Sequence, residues 1–118
     1  MHELAIAQSV LEIVLTAAGE QEAAGIRRIR LLVGEFTQIV PHSLEAGFAM
    51  LAQDTIAEDA QLEIIVIPLA GRCEHCGHQF NIQQYRFVCP GCTSTDIVIL
   101  TGRELIVDLL EVDEWKLK

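Results

Sequence analysis

No apolar run in this chain reaches the roughly 18 residues needed to cross a bilayer, so no membrane-spanning helix and no membrane partner are expected. Basic residues are scarce as well: 8 Lys and Arg stand against 17 Asp and Glu, for a net charge of −9. A nucleic-acid binder needs a basic stripe to neutralise phosphates, so that class is set aside. The sequence has no phosphate loop, no nucleophile–base constellation and no open metal site, and an enzyme is therefore not expected. Repeats and low-complexity segments are missing too. Leu4 to Ala18 is apolar enough to imitate a signal peptide. It has no basic region before it, however, is flanked by Glu3, is interrupted by Glu12 and shows helical periodicity.

What remains is a folded chain with unusual punctuation. Apolar residues make up 51% of 118 and charged residues 21%, which allows one ordinary core, or a smaller core plus a metal-stapled module. All four cysteines fall in one stretch, as Cys73-x-x-Cys76 and Cys89-x-x-Cys92. One such pair turns two thiolates toward one point, and two pairs facing each other make a closed tetrahedral cage. That donor set suits Zn²⁺, with iron as the alternative ion. Two disulfides are a poorer reading, because Cys-x-x-Cys bridges are strained and nothing suggests secretion. A redox pair would explain one motif but not both. Gly77 and Pro90-Gly91 are expected to supply the tight turns. With its four cysteines reduced, the protein is expected in the cytoplasm. Filling the cage would carry the net charge to about −11.

A closed sulfur site does no chemistry but folds a local unit, since structural zinc is worth on the order of 10–16 kcal/mol. The zinc module is expected over about residues 71–100. Before it, Leu4 to Ala18 carries apolar stripes that predict a helix covered over more than half its circumference, ended by Gly19. Ile26 to Val33 reads as a strand with Ile29, Leu31 and Val33 on one face and Arg28 and Arg30 on the other. Arg27, Arg28 and Arg30 are taken as its solvent side. Gly34 breaks the run, and Phe36 to Val40 is expected to continue extended. A shorter helix through Leu44, Phe48, Leu51 and Ala52 follows, with Ser43 as cap. Leu62 to Ile67 reads as a central strand covered on both faces. Glu104 to Val112 predicts a further strand, with Leu109-Leu110 as a possible bulge, whose apolar content needs the first core.

The expected fold is α+β: two helices packed on a sheet of about three strands, with an inserted four-cysteine zinc-knuckle, zinc-ribbon-like domain. The boundaries are 1–70 for the first domain, 71–102 for the zinc-binding domain, and 103–118 for a strand returning to the first.

The amino terminus carries a second metal possibility. The Met1 amine, the His2 amide and the His2 imidazole close five- and six-membered chelate rings around one ion, with the Glu3 amide or carboxylate next in line. Such planar nitrogen ligation suits Ni²⁺ or Cu²⁺. Taken alone, a histidine at position 2 is more often a solvated terminus. His42 and His78 are further candidate ligands, while His75 reads as a surface or supporting side chain.

Met1-His2-Glu3, Val33-Gly34-Glu35-Phe36, Ser43-Leu44, the paired cysteine motifs and Gly102-Arg103-Glu104-Leu105 together resemble the hydrogenase maturation nickel chaperones of the HypA/HybF family, over essentially the whole chain. The resemblance implies a metallochaperone with an α+β nickel-binding domain and a zinc domain. It implies Ni²⁺ carried at Met1, His2 and Glu3, and Zn²⁺ held structurally by Cys73, Cys76, Cys89 and Cys92. The implied partners are a nickel-handling maturation GTPase and the large subunit of [NiFe]-hydrogenase, with urease maturation proteins added for some relatives. Those relatives that place an acidic residue near position 42 use it to help with nickel, which is why His42 is a candidate here. A zinc-ribbon interaction module and a rubredoxin-like iron carrier are the competing readings. The first predicts salt-sensitive nucleic-acid binding, the second a coloured iron centre.

Overall fold

The computed structural model describes residues 3–113. These divide into two compact units. The first comprises residues 3–32, Ile39–Ile65 and 106–113; the second comprises Val33–Gln38 and Val66–Leu105.

The first unit is built from helices α1 (Glu3–Glu20) and α2 (Pro41–Leu51) and a three-stranded sheet. The strands are β1 (Ile26–Gly34), β2 (Gln61–Ile67) and β6 (Leu105–Val112), in the order β2-β1-β6. Helix α1 buries Ile6, Ala7, Val10, Leu11, Val14 and Ala18. At 3.6 residues per turn these span an arc of roughly 140°. That is less than half the circumference and narrower than the sequence suggests, because Leu4 and Ile13 lie at its margins and are exposed. The helix also runs through Gly19 to Glu20.

Strand β1 alternates as expected, with Ile29, Leu31 and Val33 buried. On its other face Arg28 meets Glu63 at 3.5 Å and Glu111 at 3.7 Å, and Arg30 meets Glu63 at 3.0 Å and Asp108 at 3.3 Å. Cross-strand pairs of this kind, part-exposed, set register and add little energy each. The central strand is β1, not β2. As an edge strand β2 buries none of its residues fully, and Ile65 and Val66 are exposed. An all-apolar run thus tells of strand propensity without telling of two covered faces.

Residues 36–40 do not continue the strand, which ends at Gly34. Glu35–Thr37 form one 3₁₀ turn, and Gln38 takes a left-handed φ of 59°. Helix α2 then begins at Pro41 itself, in the first position, where a missing N–H costs nothing and φ is already helical. Its cap residue is Val40 rather than Ser43, and it has no side-chain cap of its own. The Val40 N–H instead donates to Glu3 Oε2 at 3.2 Å, so the first residue of α1 satisfies the start of α2.

The second unit is a separate sheet of β3 (Ala70–Cys73), β4 (Gln79–Asn81) and β5 (Ile97–Thr101), in the order β4-β3-β5. Both pairings are antiparallel, with Arg72 opposite Gln79 on one side and Val98 on the other. Residues 33–38 are strapped to its base. Gly34 N–H donates to Glu104 O at 2.7 Å, Phe36 N–H to Gly102 O at 2.8 Å, and Leu69 N–H to Glu35 Oε1 at 2.8 Å. A Cβ on Gly34 would collide with the Gly102 carbonyl, and Gly102 itself has φ 118° with Leu69 Cα 2.8 Å from where its Cβ would be. Both glycines are there because two backbones cross.

Candidate metal centre

The four cysteines converge. Their sulfurs all lie within 4.8 Å of one another, with Cys73 Sγ 3.5 Å from Cys92 Sγ and Cys76 Sγ 3.5 Å from Cys89 Sγ. A tetrahedral site with Zn–S bonds of 2.3 Å has sulfur–sulfur edges of about 3.8 Å. The cage fits that ion in size and donor type, and none of the four cysteines is in a disulfide.

The fit comes from two equivalent loops. In the first, Gly77 N–H donates to Cys73 O and Cys73 N–H to His78 O. In the second, Thr93 N–H donates to Cys89 O and Cys89 N–H to Ser94 O, all four between 2.8 and 2.9 Å. Each loop needs a left-handed residue four positions after its first cysteine. Gly77 meets that need with φ 77°, and Thr93 meets it with φ 62°. In the second loop, then, it is Thr93 that takes the left-handed conformation and not Gly91. Gly91 contributes its N–H, 3.4 Å from Cys89 Sγ.

Charge is divided unevenly over the sulfurs. Cys73 and Cys89 are buried, whereas Cys76 and Cys92 are exposed. The Cys76 amide, followed by the His75 amide and neighbouring sulfurs, outweighs burial and holds the Cys73 thiol down to about 6. The Cys92 and Gly91 amides lower Cys89 in the same way. At Cys92 the Ser94 amide pulls downward, but hydrogen bonds to the sulfurs of Cys73, Cys76 and Cys89, together with burial, push the thiol up to about 12. Cys76 is likewise raised, the Cys89 sulfur and burial outweighing the His78 amide. Without a cation the second cysteine of each pair holds its proton more tightly than the first, since adjacent negative charges repel. A divalent ion displaces those protons, so metal affinity rises with pH.

The remaining candidates are placed differently. His78 is exposed and stacks on Phe80 at 5.8 Å, and His75 is exposed nearby in the loop. His42 is exposed in the first turn of α2, two residues beyond Val40. Among the described residues the four cysteines are the one group of three or more potential ligands, and neither His42 nor His78 joins it. Glu3 is half-buried, its carboxylate on the Val40 amide. Met1 and His2 lie outside the described residues. No described helix is long and apolar enough to cross a membrane.

Comparison with known proteins gives a consistent result. A family model described as "Hydrogenase/urease nickel incorporation, metallochaperone, hypA" matches residues 1–112. The hydrogenase maturation factor HypA of Dehalococcoides mccartyi is 39% identical over 114 residues, covering 97% of this chain and 96% of that protein. The HypA of Crocosphaera subtropica is 37% identical over 114 residues, 97% of each chain. Among solved structures, the solution structure of the Ni metallochaperone HypA from Helicobacter pylori superposes with a TM-score of 0.70 at 24% identity, covering 97% of this chain and 99% of that one.

Proposed function

Given that the chain belongs to the HypA family of metallochaperones for nickel incorporation, proteins that carry metal rather than catalyse, we propose that it binds Ni²⁺ at Met1, His2 and Glu3 and keeps Zn²⁺ in the cage of Cys73, Cys76, Cys89 and Cys92. The observation that carries the reading is the pairing of that family membership with the Met1-His2-Glu3 chelate sequence. The Met1 amine and the nitrogens of His2 supply planar donors, and Glu3 completes the segment. The Glu3 carboxylate on the Val40 amide supports it by holding the start of α1 against the start of α2. His42 follows in that same first turn of α2 as a further candidate ligand, with His78 the other.

The labour divides by region. Residues 1–70 with 103–118 handle nickel, and residues 71–102 hold zinc. An open, nitrogen-rich site on a chain terminus exchanges its ion readily, whereas a closed thiolate cage retains its own. Nickel arrives from, or leaves with, a partner GTPase and is delivered to the large subunit of [NiFe]-hydrogenase, with urease maturation proteins as additional clients. The four cysteines outside any disulfide support assigning this work to the reducing cytoplasm. His2→Ala is expected to abolish nickel binding while leaving one zinc per chain and the circular dichroism spectrum unchanged. Unaltered nickel affinity in that variant would sink the assignment.

A further inference from the structure

Strand β2 ends its sheet, with β1 as its one neighbour among the described residues. It reads Gln61-Leu-Glu-Ile-Ile-Val-Ile67, β-branched for most of its length. Sheet edges are commonly blunted by lysine, proline or a free charge, because an unpaired row of N–H and C=O groups invites a further strand. Neither lysine nor proline occurs in β2, and its single charge, Glu63, is turned back onto Arg28 and Arg30 of β1. The outer side of β2 is therefore a template for strand addition.

A groove runs beside that edge, within the first unit. One part, of 190 Å³, lies between α2, the connection after it and the start of β2; Ala49, Ala52, Ala57 and Ala60 line it together with Glu45 and Glu58. The other, of 490 Å³, lies against Gln61 to Ile64 and shares Glu45 and Leu62 with the first, so the two are continuous along β2. The charged residues lining them are one arginine, Arg28, and three glutamates. Arg28 is already held by Glu63 and Glu111. Glu45 and Glu58 are exposed and make no ion pair among the described residues. The groove is apolar in its alanines and negative in its unpaired charge.

We propose that the free edge of β2 and the groove beside it take an extended, basic segment of a partner protein as a fourth strand. Side chains alternate along a strand, so every second residue of the segment falls on the side of Leu62 and Ile64, toward α2. A lysine or arginine there lays its aliphatic stem on the alanines and brings its cation to Glu45 and Glu58. The residues between fall on the side of Glu63 and Ile65, where an apolar side chain covers Ile65, 38% exposed. Main-chain hydrogen bonds hold the segment, and the groove selects its charge. A second copy pairing edge to edge is opposed by the net charge of −9 that each chain carries. The inference does not depend on the nickel site, and its test uses no nickel.

The probe is a fluorescein-labelled decapeptide of alternating lysine and valine, added to the zinc-loaded full chain. One control replaces each valine by proline, which keeps the charge but cannot add as a strand. The other replaces each lysine by glutamate. The lysine–valine peptide is expected to bind, to shift the amide resonances of residues 61–65 and to slow hydrogen exchange at the β2 amides on the free side. Glu45→Gln combined with Glu58→Gln should weaken binding roughly tenfold, with zinc content and Tm unchanged. Glu12→Gln combined with Glu20→Gln removes the same charge from exposed positions of α1 and should leave binding nearly as it was. The proline peptide should bind far more weakly and the glutamate peptide not at all. No binding, equal binding of the lysine–valine and proline peptides, or equal effects of the two pairs of substitutions would overturn the proposal. So would protection of the β2 amides that grows with protein concentration in the absence of peptide, which would give the edge to a second copy.

Discussion

The two units hold themselves together by different means. Most of the buried apolar side chains belong to the first, from Ile6 and Val14 on α1 through Ile29 and Leu31 on β1 to Leu44 and Phe48 on α2. The second buries Val33, Leu69 and Ile82, and its other buried side chains are Cys73 and Cys89, two of the cage sulfurs. Hydrophobic burial scales with area, so the first unit has what an ordinary small domain needs. The second buries less and instead has a four-cysteine cage suited to a stapling ion, with backbone crossings to fix its base. On the proposed reading a chaperone gains from that division, because the metal that would fold the protein and the metal it would carry have unlike donors in unlike settings.

The sharpest way to break the comparison is to remove the structural ion. Cys73→Ala or Cys92→Ala, or a strong chelator, should withdraw stabilisation on the order of 10 kcal/mol from the second unit alone. Amide resonances of residues 71–100 should collapse while those of α1, α2 and β1 persist. Retention of stoichiometric zinc, or loss of the whole spectrum, would count against separate sources of stability. The converse experiment empties the apolar core. Phe48→Ala should cost about 3–5 kcal/mol in denaturant melts of the first unit and leave zinc content at one per chain. Simultaneous loss of zinc would show that the units are not independent.

Glycines give a smaller version of the same contrast. In α2 a Cβ on Gly47 would lie 3.5 Å from Leu4 Cδ1 and 3.7 Å from Ala7 Cβ, which is ordinary contact. Gly47→Ala should therefore stabilise the first unit by up to about 1 kcal/mol, read as a raised Tm. Gly102→Ala in the second unit faces a left-handed φ and the Leu69 backbone, and should destabilise by more than about 1 kcal/mol.

The smallest expected effect is electrostatic. Hydrogen bonding to Arg30, outweighing desolvation, holds the Glu63 carboxyl below the usual glutamate range. A carboxyl with a depressed folded value adds stability that is fully present above its unfolded value. That stability is lost as pH falls through the folded one. Carbon NMR titration should place the Glu63 midpoint below that of an unpaired glutamate, and Arg30→Ala should restore it. An ordinary midpoint in the native chain would deny the pairing any role.

The parts of this architecture that were legible in the sequence are those decided by short-range spacing. Two Cys-x-x-Cys pairs bring four sulfurs together almost regardless of what surrounds them, and alternation on β1 followed from Arg28 and Arg30 standing between Ile29 and its neighbours. The misread parts depend on distant residues. Whether Leu62 to Ile67 is central or at an edge is set by strand order, which its own side chains do not encode. Phe36 curls into a turn because Gly34 and Phe36 bond to Glu104 and Gly102, nearly seventy positions on. The left-handed Thr93 was hidden because threonine is a poor choice there; only the symmetry of the two loops reveals it. The start of α2 was readable from Pro41 at the first helical position, a stronger signal than Ser43.

The central claim, that nickel is carried by the terminal chelate apart from the zinc cage, is tested most directly by nickel titration of two proteins. One has Met1 as its first residue; the other bears a single extra residue before Met1, which keeps every side chain but displaces the free amine. The account predicts one Ni²⁺ with a planar-type absorption spectrum for the first protein, no such binding for the second, and one zinc in each. Equal nickel binding by both would contradict it and move the cargo site to His42 or His78.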